Sequence, residues 1–560
     1  MRDDVVNVSF YDDFLAELKA VDDFLAYRTG DATSVSREDP DVRRLMESIA
    51  FFSARTRQAA SDQLRRSVLS LARGHLDDFL SPQPARARVQ ATPAGLVTDT
   101  AHLPAGTVLR LTTADGEIGL FSTMADVNLR PLQIDLAELG LRSGSGFRLA
   151  IRIRARREMV DVPEPLAIHL SYLGDYPASL RFQYRLRRHL QGGGASVFYD
   201  AGPDPARTGA PCEVRFGSAP PARAESGSGS PPGGPPGSPI DQIRQFLHFP
   251  AKELYLGVSL PRPAAPWRQA WLCLDLDDQW PPELVVNKDV FRLFVLPIEN
   301  LVRDAALPIK ADGTRAQFPI VPARADAKLV LHSVTGVFQE LPSGPDPILP
   351  VQLASGDQSY DIEHVAEGPR GVEPRLVLRL PDAFAAPRLI SVAARWYQPA
   401  FDKVAVGKLE ARLQTRHVQG VELRLLGALT PHRQSALWRD PAAMLQVLSR
   451  RVSRVLGKRD LTSLMTQLGA DPDSHHAGVD ADLLYIEARE EPADLRRGGG
   501  IRHVYQITIG DVDEDRLGLV ADYLRCVQTL LDAWSANPVR LEVYRRTSGA
   551  RRLPMIEGGT

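Results

Sequence analysis

The sequence predicts a multidomain α+β protein with an N-terminal helical stalk, β-rich middle domains and an α+β C-terminal domain. The chain has 560 residues, which is more than a single hydrophobic core normally holds. Apolar residues recur at the helical period between residues 10 and 82, and at the strand period of two from about residue 85. Helical periodicity returns at residue 436 and then alternates with strand patterns. Runs of strands followed by runs of helices are typical of α+β proteins.

Two amphipathic helices are predicted at the N-terminal end. Tyr11 to Tyr27 form the first, and the second begins near Asp39, whose side chain can accept from a free N–H group of the first turn. Pro40 suits the first helical position, and "SPQP" at 81–84 ends the helical region. The second helix carries two apolar stripes. The first stripe consists of Val42, Leu45, Met46, Ile49 and Phe52, and the second of Leu64, Val68, Leu71, Ala72, His75 and Phe79.

The first stripe is the candidate interface. We expect it to be buried mainly between chains, because a helical segment at one end of a β-rich chain has few partners of its own. The alternative is a helix hairpin that packs only on residues 57–80 and on the adjacent β domain. Residues 1–82 are accordingly predicted to be a helical core-bundle segment.

The rest of the chain divides by composition and period. Residues 83–216 predict a first β-rich domain that contains one helix at 177–190. Residues 217–239 are mostly Gly, Ser and Pro, which cannot bury a core, so we expect a flexible linker or surface loop. Residues 240–430 begin as a helix and continue mostly as strands, which predicts a second, wing-like β-rich region. Residues 431–560 predict the C-terminal α+β domain.

Composition favours a soluble cytoplasmic protein. The net charge of −2 gives no indication of nucleic-acid binding. The three cysteines, Cys212, Cys273 and Cys526, form no CxxC pair, and a reducing compartment suits them. The first residues are acidic and lack the apolar core of a secretion signal, and no apolar run approaches the length of a membrane span.

One polar segment could hold a metal ion. "DPDSHHAGVD" brings together Asp471, Asp473, His475 and His476. The spacing matches no zinc pattern, and adjacent histidines in a strand would point to opposite faces. We therefore interpret the segment as a polar loop.

A second acidic segment resembles a calcium loop. "DVDEDRLGLVAD" at 511–522 has acids at the first, third and fifth positions, but Arg516 stands where the turn needs Gly and Asp522 where Glu is usual. Acids gathered before the N-terminus of the next helix explain the pattern more simply.

No motif predicts catalysis or a cofactor. The glycine runs at 191–196 and 497–502 match no nucleotide-binding pattern, and the chain has no GxSxG and no HExxH. Trp267, Trp271 and Trp280 could form a sugar-binding shelf, although core aromatics of a β domain are the simpler interpretation. We expect a protein that is not an enzyme.

Stretches spread along the chain resemble the TssF family of type VI secretion baseplate proteins. "DPDVRRLMESIAFFSART" and the following helix that ends in "DDFLSPQPARARVQ" are similar to the N-terminal signature of that family. The resemblance continues, in family order, through "LPAGTVL", "FSTMADVNLRPLQI", "IRQFLHFPAKELYLGV", "VVNKDVFRLFVLPIENLVRDAALPI" and the closing strand, helix and strand after "YQITIGDVDED". Relative to this pattern, the segment 217–239 is an insertion.

The resemblance implies a structural wedge subunit assembled at the cytoplasmic face of the inner membrane. Its implied partners are TssG, a second TssF copy, TssE, TssK and the VgrG hub, and the first helices would pack against TssG and the second copy. A baseplate subunit of a phage tail or of an extracellular contractile injection particle shares this architecture. A multidomain carbohydrate-binding or hydrolytic protein is a further alternative, based on the β domains and the tryptophans.

Overall fold

A computed structural model of the chain describes residues 3–28, 39–72, 76–93, 100–113, 116–142, 145–162, 165–203, 209–218, 238–324, 328–366, 372–402, 410–414, 420–438, 440–451, 453, 455–492, 501–546 and 551–552. Most of the predicted linker, residues 219–237, lies outside the described residues, as does His75 of the second stripe.

Most of the helices lie in segments that the sequence predicts to be helical. Within the described ranges, the α-helices are α1 (Asp3–Arg28), α2 (Pro40–Ala72), α3 (Asp77–Leu80), α4 (Tyr176–His189), α5 (Pro239–His248), α6 (Pro441–Arg450), α7 (Lys458–Leu468), α8 (Val479–Asp482) and α9 (Leu517–Trp534). One local signal starts several of them. Asp175, Ser238 and Asp440 each accept a hydrogen bond from an N–H of the first turn, and a proline occupies one of the first two helical positions.

The strands are numerous and mostly antiparallel. They are β1 (Arg86–Pro93), β2 (Ala101–Leu103), β3 (Val108–Thr112), β4 (Ile118–Thr123), β5 (Val127–Leu129), β6 (Leu132–Leu141), β7 (Phe147–Met159), β8 (Leu166–Leu170), β9 (Leu190–Tyr199), β10 (Ala210–Pro211), β11 (Glu213–Gly217), β12 (Tyr255–Ser259), β13 (Trp267–Leu276), β14 (Phe291–Leu293), β15 (Val295–Glu299), β16 (Val302–Ala305), β17 (Ile309–Ala311), β18 (Gln317–Pro319), β19 (Val330–Leu341), β20 (Gly344–Ile348), β21 (Ser359–Ala366), β22 (Val372–Arg379), β23 (Arg388–Tyr397), β24 (Glu410–Leu413), β25 (Val421–Thr430), β26 (Leu483–Pro492), β27 (Ile501–Ile509), β28 (Val539–Arg545) and β29 (Arg551–Arg552).

Strand pairing joins segments that lie on both sides of the Gly/Pro/Ser stretch. One sheet has the order β10-β9-β13-β7-β6 and another the order β11-β12-β8-β14. Their facing apolar side chains share a core, which Phe182 and Leu186 of α4 complete. A six-stranded sheet, β24-β3-β4-β15-β1-β25, has its own core around Phe121 and Phe401. The predicted segments 83–216 and 240–430 thus contribute strands to the same sheets.

Residues 302–397 form a β unit with a separate core. The sheet β16-β23-β19-β20, with β17 paired to β23, packs on the sheet β18-β22-β21. Trp396 is buried in this core, and its indole N–H donates to the carbonyl oxygen of Asp304 over 3.0 Å.

The C-terminal α+β domain recruits helices from the other end of the chain. Its sheet has the order β26-β27-β28-β29, and α9 makes the crossover between the parallel strands β27 and β28. The core under this sheet includes Val68 and Ala72 of α2, Phe79 of α3 and Ile243 of α5. Sequence patterns did not predict that these early helices pack on the C-terminal domain.

The fold is therefore multidomain and rich in strands, with helices at both ends of the chain.

The second predicted stripe is only partly buried. Val68, Ala72 and Phe79 are buried, whereas Leu64 and Leu71 remain 62% and 65% exposed. A helix that rests on a core along one line leaves the flanks of its apolar stripe in solvent.

Candidate partner interface on the N-terminal helix pair

α1 and α2 pack on each other and form what we call the helix pair. Glu17 of α1 accepts from the Ser53 hydroxyl over 2.8 Å and from the Arg57 guanidinium over 3.2 Å. The rings of Phe10 and Phe51 meet edge to face, with their centroids 5.6 Å apart. The contact therefore combines an ion pair with aromatic packing.

The face of α2 that meets α1 includes two alanines. Met46, Ala50 and Ala54 follow each other at intervals of four residues and so lie on one side of the helix. Ala50 and Ala54 are fully buried and Met46 is 9% exposed. Alanine at these positions lets the backbones of the two helices approach closely.

A second apolar face of α2 stays in solvent. Leu45, Ile49 and Phe52 are spaced i, i+4 and i+7, and they are 64%, 49% and 68% exposed. We call these three residues the exposed face of α2. Large apolar side chains at this exposure on neighbouring turns mark an interaction surface in a soluble protein.

The five residues of the predicted stripe are thus divided between two surroundings. Leu45, Ile49 and Phe52 share the exposed face, and Val42 beside them is half-buried. Met46 instead points towards α1 and is covered within the chain. The apolar pattern of α2 alone does not distinguish covered from exposed residues, because the packing of α1 determines which part of the stripe is covered.

Further exposed apolar side chains on the helix pair were missed by the sequence prediction. They are Tyr11, Leu15, Phe24, Tyr27, Phe51, Leu64 and Leu71. Their apolar character was visible in the sequence, but their exposure depends on how far α1 extends over α2. The candidate interface consequently covers more of the helix pair than the first stripe.

The C-terminal end of α2 is anchored in the C-terminal domain. Its 33 residues span about 50 Å at 1.5 Å per residue. Only the last turns enter the core, through Val68 and Ala72. Next to them, Trp438 donates from its indole N–H to the carbonyl oxygen of Leu80 over 2.7 Å. The anchored end therefore holds the helix pair while most of its apolar surface stays free.

Two partly buried histidines hold the chain immediately after the helices. His332 donates from Nε2 to the carbonyl oxygen of Pro82 over 2.9 Å, and His248 does the same to Pro84 over 3.0 Å. Burial lowers the pKa of both imidazoles to about 3, so both are neutral at neutral pH. The "SPQP" segment is thereby clamped between α5 and the β unit of residues 302–397.

The residues of the candidate metal loop at 471–480 make separate structural contacts. Asp471 forms an ion pair with Arg433. His476 is buried, with its ring 5.4 Å from Phe246, and His475 lies 4.9 Å from the ring of Tyr176. Within the part of the chain that the structure describes, no group of three or more His, Cys, Asp or Glu residues is arranged to hold a metal ion.

The acidic segment before α9 pairs with arginines of α4. Asp515 accepts from Arg181 over 2.8 Å and from Arg185 over 3.4 Å, and Glu514 pairs with Arg185 and Arg188. These acids therefore connect α4 to the C-terminal domain in addition to preceding a helix.

The tryptophans and cysteines belong to the interior. Trp267, Trp271 and Trp280 are 0%, 8% and 2% exposed, which is the core role expected and leaves no shelf for a sugar. The three cysteines are free thiols, and Cys273 and Cys526 are buried. Among the described residues, no helix is both long and apolar enough to cross a membrane.

Comparisons with known proteins agree with the architecture. The family model described as "Type VI secretion system, TssF" matches residues 26–199 and 239–362, which is more than half of the chain. The gap between the matched ranges contains all but the last residue of the Gly/Pro/Ser segment 217–239. No curated protein matches the chain.

Solved structures share the fold over nearly the whole chain. One is a cryo-electron microscopy structure of the type VI secretion system TssK-TssF-TssG baseplate subcomplex, matched with a TM-score of 0.70 and 16% identity over 93% of this chain and 99% of that chain. Another is the baseplate complex from the type VI secretion system, with a TM-score of 0.60 and 15% identity over 96% of each chain. The family match and the conserved architecture lead to one conclusion: the chain belongs to the TssF family of the type VI secretion system.

Proposed function

We propose that this chain is a structural wedge subunit of a type VI secretion baseplate and that it assembles with TssG and TssK. The observation that carries the proposal is the family match over residues 26–199 and 239–362. The structural matches support it, because each covers nearly the full length of both chains compared, and both are structures of type VI secretion baseplate complexes.

The exposed face of α2 is proposed to contact TssG and a second copy of this chain. Burying three large apolar side chains contributes about 1.5–3 kcal/mol for each one that becomes fully covered. The anchored end of α2 supports this role, since it offers the helix pair to a partner without disturbing the C-terminal core. Contacts with TssE and the VgrG hub are part of the same proposal.

The remaining predicted properties follow from the baseplate role. We propose that the chain acts in the cytoplasm, at the inner face of the inner membrane, and that it has no catalytic activity of its own. The predicted limits of the segments 1–82, 83–216, 240–430 and 431–560 are proposed as functional regions, although their strands mix in the sheets.

The interface can be tested by charge insertion. Leu45→Asp with Ile49→Asp should abolish co-purification of TssG, because an unpaired carboxylate buried in an interface typically costs several kcal/mol. Both positions are exposed in the free chain, so the variant should melt at the same temperature as the native protein.

A matched control isolates the effect of position. Leu353→Asp changes a leucine that is 71% exposed on the β unit of residues 302–397, and TssG should still bind. Retention of TssG by the Leu45→Asp, Ile49→Asp variant would refute the interface, and unfolding of that variant would show that the face is covered within the chain.

A further inference from the structure

β26 is an outer strand of the C-terminal sheet, as far as the structure describes the chain. Among the described strands, β26 hydrogen-bonds to β27 alone. In β27, the N–H of His503 donates to Pro538 over 3.0 Å and the carbonyl of Ile509 accepts from Arg546 over 2.9 Å. Odd-numbered residues of β27 therefore direct their backbone groups to β28, and even-numbered residues direct theirs to β26.

The register then fixes which groups of β26 point outwards. Even-numbered residues of β27 lie opposite Tyr485, Glu487, Arg489 and Glu491. The backbone N–H and C=O groups of Ile486, Ala488 and Glu490 consequently point away from the sheet. An edge with such unpaired groups is a template for another strand.

The side chains along this edge alternate in charge on one face. Glu487, Arg489 and Glu491 share the face away from α9, while Ile486 and Ala488 pack towards the core of the C-terminal domain. Glu487 is exposed, and the Arg489 side chain is 51% exposed, 2.9 Å from Glu491. Because Glu, Arg and Glu occupy every second position, only some registers allow the β26 edges of two copies to pair without repulsion.

Only one symmetric register joins opposite charges and also avoids like charges directly opposite each other. An axis at Glu490 would pair Arg489 with Glu491 of the other copy, but it would place the two Glu490 carboxylates opposite each other. When Ala488 lies across from Ala488 of a second, antiparallel copy, Glu487 of each copy faces Arg489 of the other. Moving the twofold axis by one residue in either direction places Glu487 opposite Glu487 or Arg489 opposite Arg489, and like charges directly opposite each other destabilise a sheet. The favourable register also aligns the outward backbone groups as hydrogen-bonded pairs.

We propose that two copies of this chain associate through their β26 edges, antiparallel about a twofold axis at Ala488, to form one continuous sheet. In this pairing Ile486 lies across from Glu490, whose carboxylate is already turned towards His503 at 3.7 Å. The contact is separate from the helix pair and does not depend on the baseplate role.

Charge exchange in the full chain tests the pairing directly. Native protein should sediment with twice the chain mass of 61.5 kDa in a dilution series. Glu487→Arg alone and Arg489→Glu alone should each raise the dissociation constant about tenfold or more, because two attractive cross-strand pairs become repulsive. The double exchange, Glu487→Arg with Arg489→Glu, restores opposite charges and should restore the dimer.

Two further experiments complete the test: a proline substitution in β26, and the same series in a chain whose α2 face has been altered. Ala488→Pro removes an outward N–H without touching the bonds to β27 and should yield monomers. The whole series is repeated in a Leu45→Asp, Ile49→Asp background, which removes the contact proposed for the exposed face of α2, so that any dimer seen there forms at β26. A monomeric native chain, a dimer that survives Ala488→Pro, or a double exchange that does not restore association would overturn the proposal. Loss of association in both single variants and in the double variant would indicate a different occupant of the edge.

Discussion

The Tyr176 hydroxyl donates a hydrogen bond to the Asp522 carboxylate over 3.3 Å, across the contact between α4 and α9. Both side chains are buried, and Arg525 pairs with the same carboxylate from the next turn of α9. His475 and His476 lie beside the Tyr176 ring. A buried acid therefore lies where α4 packs against α9 of the C-terminal domain.

Asp522 should make the stability of the protein depend on pH. Burial raises the pKa of its carboxyl to about 6, against the opposing effects of Arg525 and of the Tyr176 hydrogen bond. Because the folded pKa exceeds the unfolded one, this carboxyl stabilises the fold below the unfolded pKa, and the contribution is lost as pH rises through about 6. Asp522→Asn removes the titration, so its melting temperature relative to the native protein should be higher at pH 7.5 than at pH 5.

The expected difference between the two pH values is about 1 kcal/mol in the free energy of unfolding. Asp357→Asn makes the same substitution at an exposed position and serves for comparison. An Asp522→Asn effect that does not change with pH would mean that this carboxyl is ionised throughout the range.

The arginines of α4 should stabilise the same contact through their acidic partners. Arg185 is 12% exposed at its side chain and reaches both Glu514 and Asp515. A double-mutant cycle of Arg185→Ala and Glu514→Ala, read by thermal unfolding, should give a coupling of about 0.5–1 kcal/mol. High salt should reduce the coupling, because both acids are partly exposed. Strict additivity of the two substitutions would show that the pair contributes nothing.

Local structure could be predicted from the sequence because its signals are local. The combination of a capping side chain with a following proline marked the start of α2, and the same combination begins α5 and α6. Period and turn residues likewise identified α4, β13 and α9. Each of these signals lies within a few residues of the element that it specifies.

Long-range relations could not be predicted in this way. The pairing of Arg185 with Glu514 joins residues 329 positions apart, and nothing near either residue specifies the other. The same limit applies to the candidate interface, where Met46 and Leu45 are neighbours in sequence but only Met46 is covered by α1. The packing of α1 determines which apolar residues of α2 remain exposed, and this packing cannot be inferred from the sequence of α2.

Gly119 should tolerate no side chain. A Cβ atom at this position would lie 2.3 Å from the Phe401 ring, which is fully buried against Phe121. Gly119→Ala should therefore lower the free energy of unfolding by about 1–3 kcal/mol, the usual cost of overpacking a core. Gly140→Ala is the matched control in β6, where nothing lies within 4 Å, and it should leave the melting temperature unchanged. Equal stability of the two variants would imply that the Phe401 ring moves aside without cost.

The small residues between α1 and α2 should decide whether the helix pair stays together. Ala50 is fully buried at this contact, so Ala50→Leu would force the helices apart at a cost of about 1–3 kcal/mol. The C-terminal core should be unaffected, because only the last turns of α2 enter it. Hydrogen exchange of the α1 amides should accelerate about tenfold for every 1.4 kcal/mol lost, while the exchange of α9 stays the same.

Ala60→Leu makes the same change at an exposed position of α2 and should leave α1 protected as before. If Ala50→Leu also leaves α1 exchange unaltered, the two helices do not depend on this contact. The exposed face of α2 would then have to be held in place by the anchored end of the helix alone.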